Sequence, residues 1–160
     1  MKYNIALLFD KEINKQIIKY AQKINKNFDT TSELDDKSIP HITIFKFEAE
    51  EFKEKLFFKP FNVTFSGLTL LPSKDGETWV EISVLKNKYF TEVLEKLSKL
   101  KNIKTLNEIG NNFRPHITLS KIKNKEINIK DLNYPLLRKK QVQGNLCLGE
   151  AKGKFKFNKI

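Results

Sequence analysis

Pro40-His41-Ile42-Thr43-Ile44 and Pro115-His116-Ile117-Thr118-Leu119 are near copies of one another, 75 residues apart, and between them they hold both histidines of the chain. Successive side chains of a β-strand point to opposite faces. His41 and Thr43 therefore share one face and Ile42 and Ile44 the other; His116 and Thr118 stand in the same relation to Ile117 and Leu119. Each segment reads as a strand that buries its aliphatic face and presents an imidazole beside a hydroxyl. By the same alternation Phe45 falls on the side of His41. There it would either stack on a base or belong to the core beyond the end of a cleft.

Working outward, the two strands occupy equivalent places in a repeated order. Residues 3–9 form an apolar strand. Asp10 follows as an N-cap, and Ile13, Ile17, Ile18, Ala21 and Ile24 mark an amphipathic helix over 11–27. A polar loop (29–38) leads into the first histidine strand (39–47), and a short acidic helix is expected over 48–56. The strands 62–71 and 78–85 form a hairpin turned at Pro72-Ser73-Lys74-Asp75-Gly76. Phe90, Val93, Leu94, Leu97 and Leu100 mark a second helix. After a loop at 110–113 comes the second histidine strand (113–122), and 141–148 with 154–157 close the chain as a hairpin turned near 149–153. Strand, helix and histidine strand thus occur twice. The expected class is α+β: two pseudo-symmetric lobes, antiparallel sheets flanked by outer helices, and an active-site cleft between the lobes, all within one bilobal domain over 1–160.

Composition narrows the function. A length of 160 residues suits one compact unit. The net charge of +11 fits an anionic partner such as RNA, a nucleotide or a membrane surface, although the excess is almost all Lys (Arg114 and Arg138 are the only arginines), so part of it reads as solvated surface. A single cysteine, Cys147, excludes an intrachain disulfide framework and a Cys-based zinc site. No apolar run approaches the roughly 20 residues that span a bilayer, and the first ten residues do not read as a signal peptide. A cytoplasmic protein with no membrane contact is expected.

In-line cleavage of a phosphodiester needs a base on the attacking oxygen and an acid on the leaving one. Histidine titrates near neutrality and serves in either role. Two hydroxyls can donate to the non-bridging oxygens as charge builds there. The scheme requires no metal, and two histidines on separate strands make a poor metal site.

The paired His-x-Thr-x motifs resemble those of the 2H phosphoesterase superfamily, which includes 2′-5′ RNA ligase-like proteins, 2′,3′-cyclic nucleotide phosphodiesterases and phage enzymes that destroy cyclic oligonucleotide signals. Phe113-Arg114-Pro115-His116-Ile117-Thr118-Leu119 is similar to the second motif of that family, and Leu148-Gly149-Glu150 with Gly153 to its closing hairpin. The resemblance implies His41 and His116 as the acid/base pair and Thr43 and Thr118 as phosphate donors. Lys121 stands where relatives carry a basic residue, usually Arg; Lys46 is its counterpart in the repeat, or else a solvated lysine. Arg114 reaches the phosphate if the Pro115 step keeps it on the face of His116. Trp79 is expected as core or lobe contact.

The implied activity is a metal-independent phosphodiesterase without cofactor, acting as a monomer on RNA ends or small nucleotides (2′,3′-cyclic phosphates or 2′-5′ linkages), with the reverse ligation chemically permitted and no obligatory protein partner. Two rivals remain: a phage-type anti-defence enzyme cleaving cyclic oligonucleotide messengers, and a non-catalytic nucleotide- or RNA-binding module. The motifs leave open which histidine is the base.

Overall fold

A computed structural model describes residues 1–35, 37–123, 127–132, 140–150 and 156–160. The elements run β1 (Lys2–Leu8), α1 (Lys11–Asn27), β2 (Thr30–Glu33), β3 (His41–Glu48), β4 (Phe61–Pro72), β5 (Thr78–Val84), α2 (Lys88–Leu97), β6 (Lys104–Thr105), β7 (His116–Ile122), β8 (Gln141–Glu150) and β9 (Lys156–Lys159). The turn expected near 149–153 and the start of the last strand at 154 fall largely outside the described residues.

All pairings are antiparallel, and the strands follow one path, β2-β7-β5-β4-β8-β1-β3-β6, with β9 added to β8. Two halves meet where the first part of β8 pairs with β4 (Phe61 opposite Gly144). The repeat read from the sequence is present in the register: Leu8 faces His41 and Ala6 faces Thr43 in one half, while Ser83 faces His116 and Glu81 faces Thr118 in the other. The offset is 75 residues throughout, so β5-α2-β6-β7 repeats β1-α1-β2-β3.

Both helices start on a side-chain cap. Asp10 accepts from the Ile13 N–H at 2.8 Å, and Asn87 accepts from the Tyr89 N–H at 3.0 Å. α1 packs against β7 and β2, and α2 against β3. The Ser120 hydroxyl donates to Asn25 of α1 at 2.8 Å, so α1 lies on the face of β7 opposite His116. The core between helices and sheet is rich in aromatics, with Phe45, Phe47, Phe65 and Phe90 fully buried. Cys147 is buried as well.

Two expectations are corrected. The segment 29–38 contains β2, which crosses to pair with β7, just as β6 crosses to pair with β3. Each half thus supplies an edge strand to the other; an edge strand needs no apolar alternation, and Thr-Thr-Ser-Glu carries none. The segment 48–56 forms no helix, because β3 runs to Glu48 and Phe52 then packs on the rings of Phe47 and Tyr3 at 4.9 and 5.7 Å. Ring burial at that place outweighs the helix propensity of the Glu/Lys run.

Candidate active site

β3 and β7 lie in opposite halves of the sheet yet approach within 8 Å between Cα atoms, which brings the two motifs to one place. Each strand carries the same irregularity. In β3 Thr43 faces Ala6 but Phe45 faces Ile5, leaving Ile44 as an extra residue; in β7 Thr118 faces Glu81 but Ser120 faces Val80, leaving Leu119 extra. A bulge of one residue switches the face of everything after it. The carbonyl of each bulged residue finds a donor: the Asn107 side-chain amide on Ile44 at 3.3 Å, and the Leu34 N–H on Leu119 at 3.0 Å. Asn107 also accepts from the Lys46 N–H at 2.6 Å, so it spans the bulge of β3.

The bulge decides which predicted residues meet. His41, Thr43 and Lys46 share one face of β3, and His116, Thr118 and Lys121 share one face of β7; all six are partly exposed. Phe45 is not with them. It is completely buried, with its ring 5.8 Å from that of Phe47, which corrects the expectation that alternation would place it beside His41.

The imidazoles are hung alike. His41 Nδ1 lies 2.8 Å from the Ile39 carbonyl oxygen and His116 Nδ1 lies 2.8 Å from that of Arg114. With Nδ1–H donating to a carbonyl, Nε2 is the ring nitrogen through which a proton can be exchanged. Burial pushes the pKa of His41 below its ordinary 6.5; repulsion from Lys46 and His116 pushes the same way, against the Ile39 bond. That His116 contributes at all places the two imidazoles within electrostatic reach. Neither threonine hydroxyl is spent on a described protein partner.

The surroundings of the two histidines differ. Lys121 is held by Asp75 and Glu77 and stands 5.1 Å over the Trp79 ring, so its charge is balanced at home. The same bond holds the Asp75 carboxyl down at about 2. Among the described residues Lys46 pairs with no carboxylate, in contrast to Lys121. Arg114 reaches Glu81 Oε2 at 2.7 Å, and Glu81 Oε1 lies 3.4 Å from His116 Nε2. Trp79 shares this face with Lys121 and is half-buried, so it belongs to the site's edge rather than to the core.

Two residues of this site were not anticipated. Glu81 stands in an otherwise apolar strand, Val80-Glu81-Ile82, and that lone charge was the available signal. Phe157 of β9 faces Gly149, which faces Asn4, and its ring lies 5.5 Å from that of His41. Nothing in the sequence near the C-terminus marks it. Among the described residues no three His, Cys, Asp or Glu side chains gather as a metal site would require, and no described helix is long and apolar enough to cross a membrane.

The duplicated motif, the half-exchanged edge strands and the face shared by two histidines belong to one α+β fold built from two related halves. Usb1 of Kluyveromyces marxianus has the same fold, with a TM-score of 0.52 over 99% of this chain and 97% of that one at 14% identity. At that identity the likeness speaks for the fold. No protein-family profile matches the chain, and no curated protein matches its sequence.

Proposed function

We propose that the chain is a metal-independent phosphodiesterase acting on RNA ends or small nucleotides that carry 2′,3′-cyclic phosphates or 2′-5′ linkages. One observation supports this above all: two imidazoles, tethered alike through Nδ1 and coupled electrostatically, each with an unspent threonine hydroxyl two residues on.

The roles divide by environment. His41, driven toward its neutral form, takes a proton from the attacking water or ribose hydroxyl. That oxygen bonds to phosphorus, the bond to the leaving ribose oxygen breaks, and His116, beside the Glu81 carboxylate, gives its proton to the leaving oxygen. The hydroxyls of Thr43 and Thr118 donate to the non-bridging oxygens. Lys46 supplies the positive charge, and Phe157 and Trp79 offer rings for flanking bases.

The test is turnover by the wild-type protein, in EDTA, of 2′,3′-cyclic nucleotides, 2′-5′-linked oligoadenylates, linear oligoribonucleotides and cyclic oligonucleotides. Cleavage of one of the first two classes is the expected result. Cleavage of cyclic oligonucleotides alone would favour the anti-defence reading. Binding without turnover of any would leave a nucleotide-binding module.

A further inference from the structure

The repeat relating the two motifs carries over their histidines, threonines, lysines and bulges, but it breaks at two positions that touch. Offset by 75 residues, Arg114 corresponds to Ile39, and Glu81 corresponds to Ala6. One half therefore has two apolar residues where the other has an ion pair. The pair closes a ring around His116: the Arg114 carbonyl takes its Nδ1–H at 2.8 Å, the Arg114 guanidinium meets Glu81 Oε2 at 2.7 Å, and Glu81 Oε1 stands 3.4 Å from His116 Nε2. At His41 the first of these links recurs, with the Ile39 carbonyl on Nδ1 at 2.8 Å.

A buried carboxylate is an expensive thing to place in a cleft that must accept a phosphate. Its side chain is 5% exposed, so it is cut off from water, and it repels an anionic substrate. Folding alone does not ask for it, since the equivalent place in the other half is filled by the methyl group of Ala6. We propose that Glu81 is a positioning residue for phosphodiester cleavage, acting through Arg114 and His116 to orient the second imidazole and to keep it protonated until the leaving oxygen needs the proton. This rests on the reading of the chain as a two-histidine phosphodiesterase. The charged groups facing His116 among the described residues are Glu81 from β5, Arg114 ahead of β7, and His41 from β3; on its own strand Lys121 is neutralised by Asp75 and Glu77. Among the described residues Glu81 is therefore the one anion in contact with the imidazole.

The experiment measures kcat against pH for wild type, Glu81→Gln and Arg114→Gln. An acid that must be protonated sets the alkaline limb. Without the carboxylate that limb moves to lower pH by about one unit, an approximately tenfold loss on the alkaline side with little change on the acid side. Arg114→Gln, at a half-exposed residue, removes the competing cation and moves the limb the other way. An equal loss at every pH, or limbs that stay in place, would overturn the proposal and leave Glu81 a purely structural group. Nuclear magnetic resonance of the two imidazoles reads the same point without a substrate. Glu81→Gln must lower the titration midpoint of one histidine, absent from the spectrum of His116→Gln, and move the other less. If the wild type cleaves no phosphodiester but this midpoint moves, the functional reading fails and the role of Glu81 as partner of His116 survives. If the wild type is active and the midpoint does not move, the reverse holds.

Discussion

Replacing Phe45 with alanine separates a core role from a substrate role, because the one-residue bulge is all that divides them. The ring is 0% exposed and 5.8 Å from that of Phe47. Emptying such a site costs about 3–5 kcal/mol, the lost transfer energy plus the cavity left behind. Domains have about 5–15 kcal/mol in total, so the variant keeps its fold at low temperature with a thin margin. With a urea dependence of about 2 kcal/mol per molar, the unfolding midpoint drops by about 1.5–2.5 M. The assay is urea denaturation by circular dichroism, together with KM measured well below the new transition. KM stays within about twofold of wild type, since the side chain points away from the cleft. A midpoint lowered by less than about 0.5 M, with KM raised tenfold or more, would refute the bulge and return Phe45 to the substrate face.

Other consequences follow from the same geometry. Activity that needs neutral His41 rises as pH climbs through its pKa, which lies below 6.5, so Lys46→Gln removes a repelling cation and moves the acidic limb of the kcat profile upward, whereas Lys121→Gln, at a site already balanced by Asp75 and Glu77, leaves it in place. Phe157→Leu raises KM about tenfold for substrates with a base on the His41 side, the worth of one stacked base, and changes kcat little. At Gly144 an added Cβ would stand 2.5 Å from Leu7 Cγ and 2.7 Å from Cδ2, in the strand that joins the two halves. Gly144→Ala therefore destabilises by about 1–3 kcal/mol in urea melts, and a neutral result would mean that Leu7 has room to turn.

The duplicated histidine strands were legible because alternation over four residues needs no tertiary information. The fully buried opening strand, the first helix with its Asp10 cap and the hairpin at 72–76 were legible for similar reasons: each has a periodic apolar pattern and a local start or stop signal. Two kinds of feature were not. A bulge is one residue of extra chain, set by how β1 and β5 pair with their neighbours, and it leaves no mark in composition; its one trace is the adjacent pairs Ile44-Phe45 and Leu119-Ser120, both buried, where strict alternation would expose one member. The exchanged edge strands are set by the partner they meet, and a four-residue polar strand cannot be told from a loop before that partner is known. Phe157 became a site residue only because β9 adds to β8 on the face that carries His41. Glu81 lay in plain view as a charge within an apolar strand, but its meaning required Arg114 and His116 beside it.

The proposed reaction divides the work of cleaving one phosphodiester between two histidines. It is tested most directly by measuring kcat for His41→Ala and His116→Ala separately, in EDTA, on whichever substrate the wild type turns over. Each variant should lose about 10²–10⁴-fold in kcat while still binding substrate. Full activity in either variant, or loss of wild-type activity in EDTA, would contradict the claim.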